Sequence, residues 1–117
     1  MKYLCLVYFE GSKLAALSPE EKLALDRDSL AYDRELERGG YFITADALHS
    51  VTEAATVRVR DGRMSVTDGP FAETKEQLGG FILIEARDMN EAIRLAAGIP
   101  LAKLGSIEVR PILKIEV

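Results

Sequence analysis

The chain has no tryptophan, a single cysteine, a single histidine and four prolines. A lone cysteine cannot close an internal disulfide, so a reducing compartment suits the chain and the cytoplasm is the expected location. A lone histidine with no Cys, His or Asp at ligand spacing builds no metal site by itself, and neither a metal nor another cofactor is expected. Basic charge is in deficit: 15 Lys and Arg stand against 19 Asp and Glu, giving a net charge of −4 and a pI near 5.0. That balance argues against non-specific binding to nucleic acid or to anionic membranes, which needs clustered Lys and Arg. No apolar run approaches the ~20 residues of a membrane helix. Met1-Lys2 leads straight into an apolar stretch too short for a signal peptide and without a small-residue cleavage site. Phosphate loops and the Gly-x-Gly-x-x-Gly fingerprint are missing as well.

What is present reads as one α+β domain over residues 1–117, of a size that buries a core without disulfides or metal. Tyr3 to Phe9 has strand character with apolar residues on both faces, so both faces should be covered. Glu10 to Leu17 reads as a loop. Ser18-Pro19-Glu20-Glu21 is a helix start: Ser18 caps, Pro19 fits the first turn and Glu21 completes a capping box. The helix should run to Arg38 and stop at Gly39-Gly40. Leu25, Tyr32 and Leu36 form one apolar stripe, and Leu23 and Leu30 a second on nearly the opposite side.

Tyr41 to Leu48 follows as a strand. Thr56 to Thr67 reads as a hairpin, with Asp61-Gly62 at a type I′ turn. That register pairs Val59 with Met64 and Val57 with Val66, and sets Arg60 opposite Arg63, an unfavourable pair without an acidic neighbour. Asp68 to Gly80 lacks periodicity and reads as a loop with a helical turn at Ala72 to Glu76. Phe81 to Ile84 is a strand. Asp88 caps a helix whose stripe is Met89, Ala92, Ile93, Ala96 and Ala97, ended by Pro100. Ile107 to Val117 alternates strictly, and Pro111 marks it as an edge strand. The order β-α-β, hairpin, β-α-β predicts a ferredoxin-like split βαβ sheet with an inserted hairpin. Helices cover one face of such a sheet. The other is apolar too, and leaving several hundred Å² of it bare costs ~10 kcal/mol at roughly 25 cal/mol per Å². A homodimer, sheet against sheet, resolves this.

The stretch Asp68-Gly69-Pro70-Phe71-Ala72-Glu73-Thr74-Lys75-Glu76-Gln77-Leu78-Gly79-Gly80-Phe81 resembles the signature of the DGPF branch of the YCII-related family. The hairpin Thr56 to Arg63 and the segment Gly105 to Pro111 are similar to that family as well. The resemblance implies a dimeric α+β barrel, and implies little about activity. Some members of the branch are encoded beside sigma factors, which implies a possible sigma-factor-linked protein partner, and a few wider relatives are linked to hydrolytic or lyase-like chemistry on chlorinated aromatics. The wider family is associated with a His-Asp pair whose histidine lies on the first helix. Here that helix has none and offers Asp28 and Glu37, so the pair does not carry over.

Two residues are candidates for acid–base catalysis. Asp68 opens the loop with a carboxylate, although the same residue type also caps a Gly-Pro turn through its own backbone. His49, the sole histidine, follows the second strand, and imidazole as a class titrates near neutrality, although the position equally suits a plain surface histidine at a strand end. For ligand binding, Glu73 and Lys75 share the loop, and Glu108 and Arg110 share one face of the last strand. There they serve either a ligand or an ion pair at a dimer interface. The function read from this set is binding of a small polar or anionic molecule in a cleft near the dimer interface, with cofactor-free acid–base chemistry. The alternative is a non-catalytic regulatory module that uses the Leu23–Leu30 stripe.

Overall fold

The computed structural model describes residues 1–117. Strand β1 (Lys2–Phe9) alternates as its sequence demands: Tyr3, Cys5 and Val7 are buried, while Leu4, Leu6 and Tyr8 stand half-buried on the other face. A short helix α1 (Gly11–Ala15) occupies the stretch expected to be loop, its first turn closed by Lys13 N–H donating to the Glu10 carbonyl at 3.0 Å. Helix α2 (Pro19–Arg38) has the expected bounds because both halves of its capping box form. Glu21 N–H donates to Ser18 Oγ at 3.1 Å, and Ser18 N–H donates to Glu21 Oε1 at 2.9 Å. Its Leu36 is buried and its Tyr32 hydroxyl donates to the Leu95 carbonyl at 2.7 Å, whereas Leu23 and Leu30 remain exposed.

Strand β2 (Phe42–Ala47), the hairpin strands β3 (Ala55–Arg60) and β4 (Arg63–Asp68), strand β5 (Gln77–Glu85), helix α3 (Met89–Ala96) and strand β6 (Ser106–Pro111) complete the chain. The main sheet has the order β2-β5-β1-β6 with every neighbouring pair antiparallel, which is the ferredoxin-like split βαβ arrangement. Helices pack on the face that carries Tyr3, Cys5, Val7, Ile82 and Ile84. No helix covers the opposite face, where Leu4, Leu6, Phe81 and Leu83 are half-buried.

Strands β3 and β4 form a separate two-stranded sheet in the expected register, Val59 against Met64 and Val57 against Val66. Asp61 and Gly62 both take positive φ, 53° and 73°, as a type I′ turn requires. The ribbon turns its polar side towards the body of the molecule. Thr56 and Arg58, on its polar side, are half-buried, with the Arg58 guanidinium 5.6 Å above the Phe71 ring. Its apolar side, Val57, Val59, Met64 and Val66, faces outward. The molecule is a slab of 48 × 47 × 18 Å with a radius of gyration of 16.2 Å, against about 13 Å for a compact chain of this length.

Three further sequence expectations need correction. Strand β5 starts at Gln77, so the loop after β4 is shorter than expected and holds bends rather than a helical turn. Both glycines of Gly79-Gly80 sit in the strand, where a side chain on Gly79 would overlap the Phe9 ring and one on Gly80 would crowd the Asp46 carbonyl oxygen at 3.0 Å. Helix α3 buries Ala92, Leu95 and Ala96, while Ile93 and Ala97 stay exposed. Finally, β6 ends at Pro111 and not at Val117. Ile112 N–H donates to the Lys2 carbonyl at 2.9 Å, and because β1 begins there, residues 113–117 have no strand left to pair with.

Candidate functional site

A cavity of about 630 Å³ opens where one end of the uncovered sheet face meets the loops on either side of the hairpin. Its first wall is the segment after β2. Leu48 N–H donates to the Gly79 carbonyl at 2.9 Å and ties this wall to β5. Ser50 then caps the 3-10 turn Val51–Glu53 by accepting from Thr52 N–H at 3.3 Å. His49 lies between these two anchors and lines the cavity. The second wall follows β4. Gly69 adopts φ of 104°, a conformation that suits glycine, donates to the Ala54 carbonyl at 2.7 Å and accepts from Thr56 Oγ1 at 3.0 Å. The chain is thereby aimed into Pro70, Phe71 and Ala72. Gln77 holds that loop by donating to the carbonyls of Ala72 and Thr74 at 2.9 and 3.0 Å. Tyr8, at the end of the outer row of β1, supplies the third side.

Thirteen residues line the cavity and seven are hydrophobic, so a mostly apolar wall presents a few polar groups: the His49 imidazole, the Glu53 carboxylate, the Tyr8 phenol and the Ser50 and Thr74 hydroxyls. That is the usual make-up of a small-molecule pocket. A neutral imidazole offers one donor and one acceptor. With Glu53 and Tyr8 lining the same cavity, it is one of three groups there of a type that exchanges a proton with a bound hydroxyl or carbonyl.

Of the residues singled out from sequence, His49 alone lines the cavity. Asp68 is the last residue of β4, exposed, one residue short of the Gly69-Pro70 turn, whose hydrogen bond comes from Thr56. Glu73 is exposed between the lining residues Ala72 and Thr74. Lys75 reaches Glu10 at 3.7 Å, tying the loop to the end of β1. Glu108 and Arg110 bind each other, with Arg110 Nε donating to Glu108 Oε2 at 2.8 Å. They stand opposite Leu6 and Leu4, on the sheet face that carries Tyr8 but further down it. Sequence reasoning missed Tyr8 and Glu53. Tyr8 was legible as the last of the row Leu4, Leu6, Tyr8; nothing local marks Glu53, which enters the site only through the 3-10 turn. No three His, Cys, Asp or Glu side chains converge as a metal ion would require, and no helix is long and apolar enough to cross a membrane.

Comparison with known proteins adds three findings. The structure is similar to 5-chloro-2-hydroxyhydroquinone dehydrochlorinase from Burkholderia phenoliruptrix AC1100, solved in complex with 2,5-dihydroxybenzoquinone. The TM-score is 0.56 at 16% identity, covering 97% of this chain and 94% of that one. The likeness is one of fold. An uncharacterised protein of Rhizobium meliloti is 41% identical over 114 residues, which are 96% of this chain and 92% of the relative. The family model of the YCII-related domain matches residues 1–116. With its split βαβ sheet, its near full-length relative and a family match over all but one residue, the chain belongs to the YCII-related family.

Proposed function

We propose that the protein, a single domain of the DGPF branch, binds a small polar or anionic molecule in the cavity between the hairpin loops. There it carries out cofactor-free acid–base chemistry with His49 as the proton-transferring group. The observation that carries this reading is that the chain's only histidine lines a cavity of about 630 Å³ whose other lining residues include Tyr8 and Glu53. A fold-level neighbour whose name describes turnover of a small hydroxylated ring lends support. Asp68 and Glu73 flank the mouth as secondary proton or ligand contacts, with Lys75 drawing the loop inward. Glu108 and Arg110 extend the polar surface along the same sheet face. The working form is a cytoplasmic homodimer, in which a second copy shelters the sheet face that the helices leave bare.

A thermal-shift panel of small phenols, quinones and carboxylates tests this. A ligand at a hundred times its Kd adds about 2.7 kcal/mol of stability, a shift of several degrees. We expect at least one class to produce it, and His49→Gln to abolish turnover of the ligand found. A panel without any shift, or a His49→Gln variant as active as the parent, sinks the reading.

A second reading has its own observation. Leu23 and Leu30 lie exposed one above the other on α2, at 59% and 58% accessibility, and suit a protein partner such as a sigma-factor-linked one. Leu23→Lys with Leu30→Lys would abolish co-purification of that partner while leaving ligand shifts intact.

A further inference from the structure

Residues 113–117 alternate Leu113, Ile115 and Val117 with Lys114 and Glu116, yet they pair with nothing, and Leu113 and Ile115 are 83% and 81% exposed and Val117 fully so. Beside them runs the free edge of β6. The Ile112 N–H bond to Lys2 fixes the direction of the backbone groups. Even-numbered residues of β6 face β1, so Ile107, Val109 and Pro111 face the open edge. Pro111 has no N–H to leave unsatisfied there. Above that edge, Met89, Ile93, Ala96 and Ala97 of α3 and Ile107 and Val109 of β6 line a wholly apolar groove of about 400 Å³.

We propose that residues 112–117 of a second copy add as a strand to the free edge of β6 and fill this groove, reciprocally, about a two-fold axis at Pro111. The inference rests on the homodimer reading and assigns the residues that join the two copies along their sheet edges, beside the contact that shelters the bare faces. Antiparallel pairing centred on Pro111 sets Leu113 beside Val109 and Ile115 beside Ile107, all on the helix side and all with backbone groups aimed across the gap. On the other side it sets Lys114 against Glu108, whose bonds to Arg110 use Oε2 and leave Oε1 free. Neighbouring registers fail on charge. Moving two residues one way opposes Glu108 to Glu116 and Arg110 to Lys114; moving two the other way opposes Arg110 to itself. A self-paired edge is also a closed one, which ends the aggregation hazard of an open β6.

The test uses the full chain. Sedimentation should give a dimer of about 26 kDa, twice 12.9 kDa. Lys114→Glu should raise the dimer Kd about tenfold or more, and adding Glu108→Lys to it should restore most of the loss. Glu108→Cys with Lys114→Cys should oxidise to a covalent dimer, whereas Glu108→Cys with Glu116→Cys should not. Thermal melts verify that each variant folds. A dimer indifferent to Lys114→Glu, or cross-linked by the second cysteine pair, overturns the edge assignment and leaves the homodimer reading standing. A 13 kDa species at micromolar concentration overturns both.

Discussion

Cys5 shows how far one side chain's surroundings set its chemistry. It is 1% exposed in the middle of β1, and burial pushes its thiol up from 9.0 to about 11. At pH 8 the native thiolate is scarcer by roughly a hundredfold than in the unfolded chain. Iodoacetamide should therefore modify the folded protein far more slowly than the denatured one, both for want of thiolate and because the side chain is enclosed, as mass spectrometry would record. The same shift affects stability. Folding protects the neutral thiol, so this contribution is whole below pH 9 and is lost as the pH climbs towards 11. The sequence disclosed this residue well, because a cysteine on the core side of an alternating strand has one place to go. It disclosed the site residues less well. His49 was conspicuous by its rarity, but alternation could not say that Tyr8 meets a loop from beyond the hairpin. Asp68, prominent in the motif, ends β4 beside the cavity without lining it.

At the scale of elements, the start of α2 was the most legible feature, since its signal is confined to four consecutive residues. The backbone N–H of Ser18 donates to the Glu21 carboxylate and holds its pKa below the ordinary carboxylate range. A lowered pKa stabilises the fold above the ordinary range, and the contribution disappears as the pH falls through the lowered value. Glu21→Gln should accordingly destabilise the protein at pH 7 and become indistinguishable from the parent in strong acid, as urea melts at the two pH values would show. The hairpin was equally legible, because the Asp-Gly turn fixes its register without reference to the rest of the chain. Strand β6 was overextended for the converse reason. Its alternation continues to Val117, but a strand exists only where a neighbour does, and β1 starts at Lys2.

On the scale of the whole molecule, the element order was enough to give the sheet order, since right-handed crossovers leave a split βαβ pair one way to close. Periodicity tells which residues of an element share a side and is silent on which side the body lies. That is why the orientation of the ribbon β3–β4, polar side in and apolar side out, was not foreseeable. This orientation has a consequence for how the molecule moves. In a single copy no packed layer backs the ribbon, so its ladder can open without disturbing the cluster around Cys5 and Ile84. Under deuterium labelling of dilute protein, amides of β3 and β4 should exchange in seconds to minutes, while those of β1 and β5 persist until global unfolding. Raising the concentration should slow residues 112–117 and the outward amides of β6, where a second copy pairs, and any slowing of the ribbon beyond theirs would mark it too as a part of the fold whose permanence is borrowed from a neighbour.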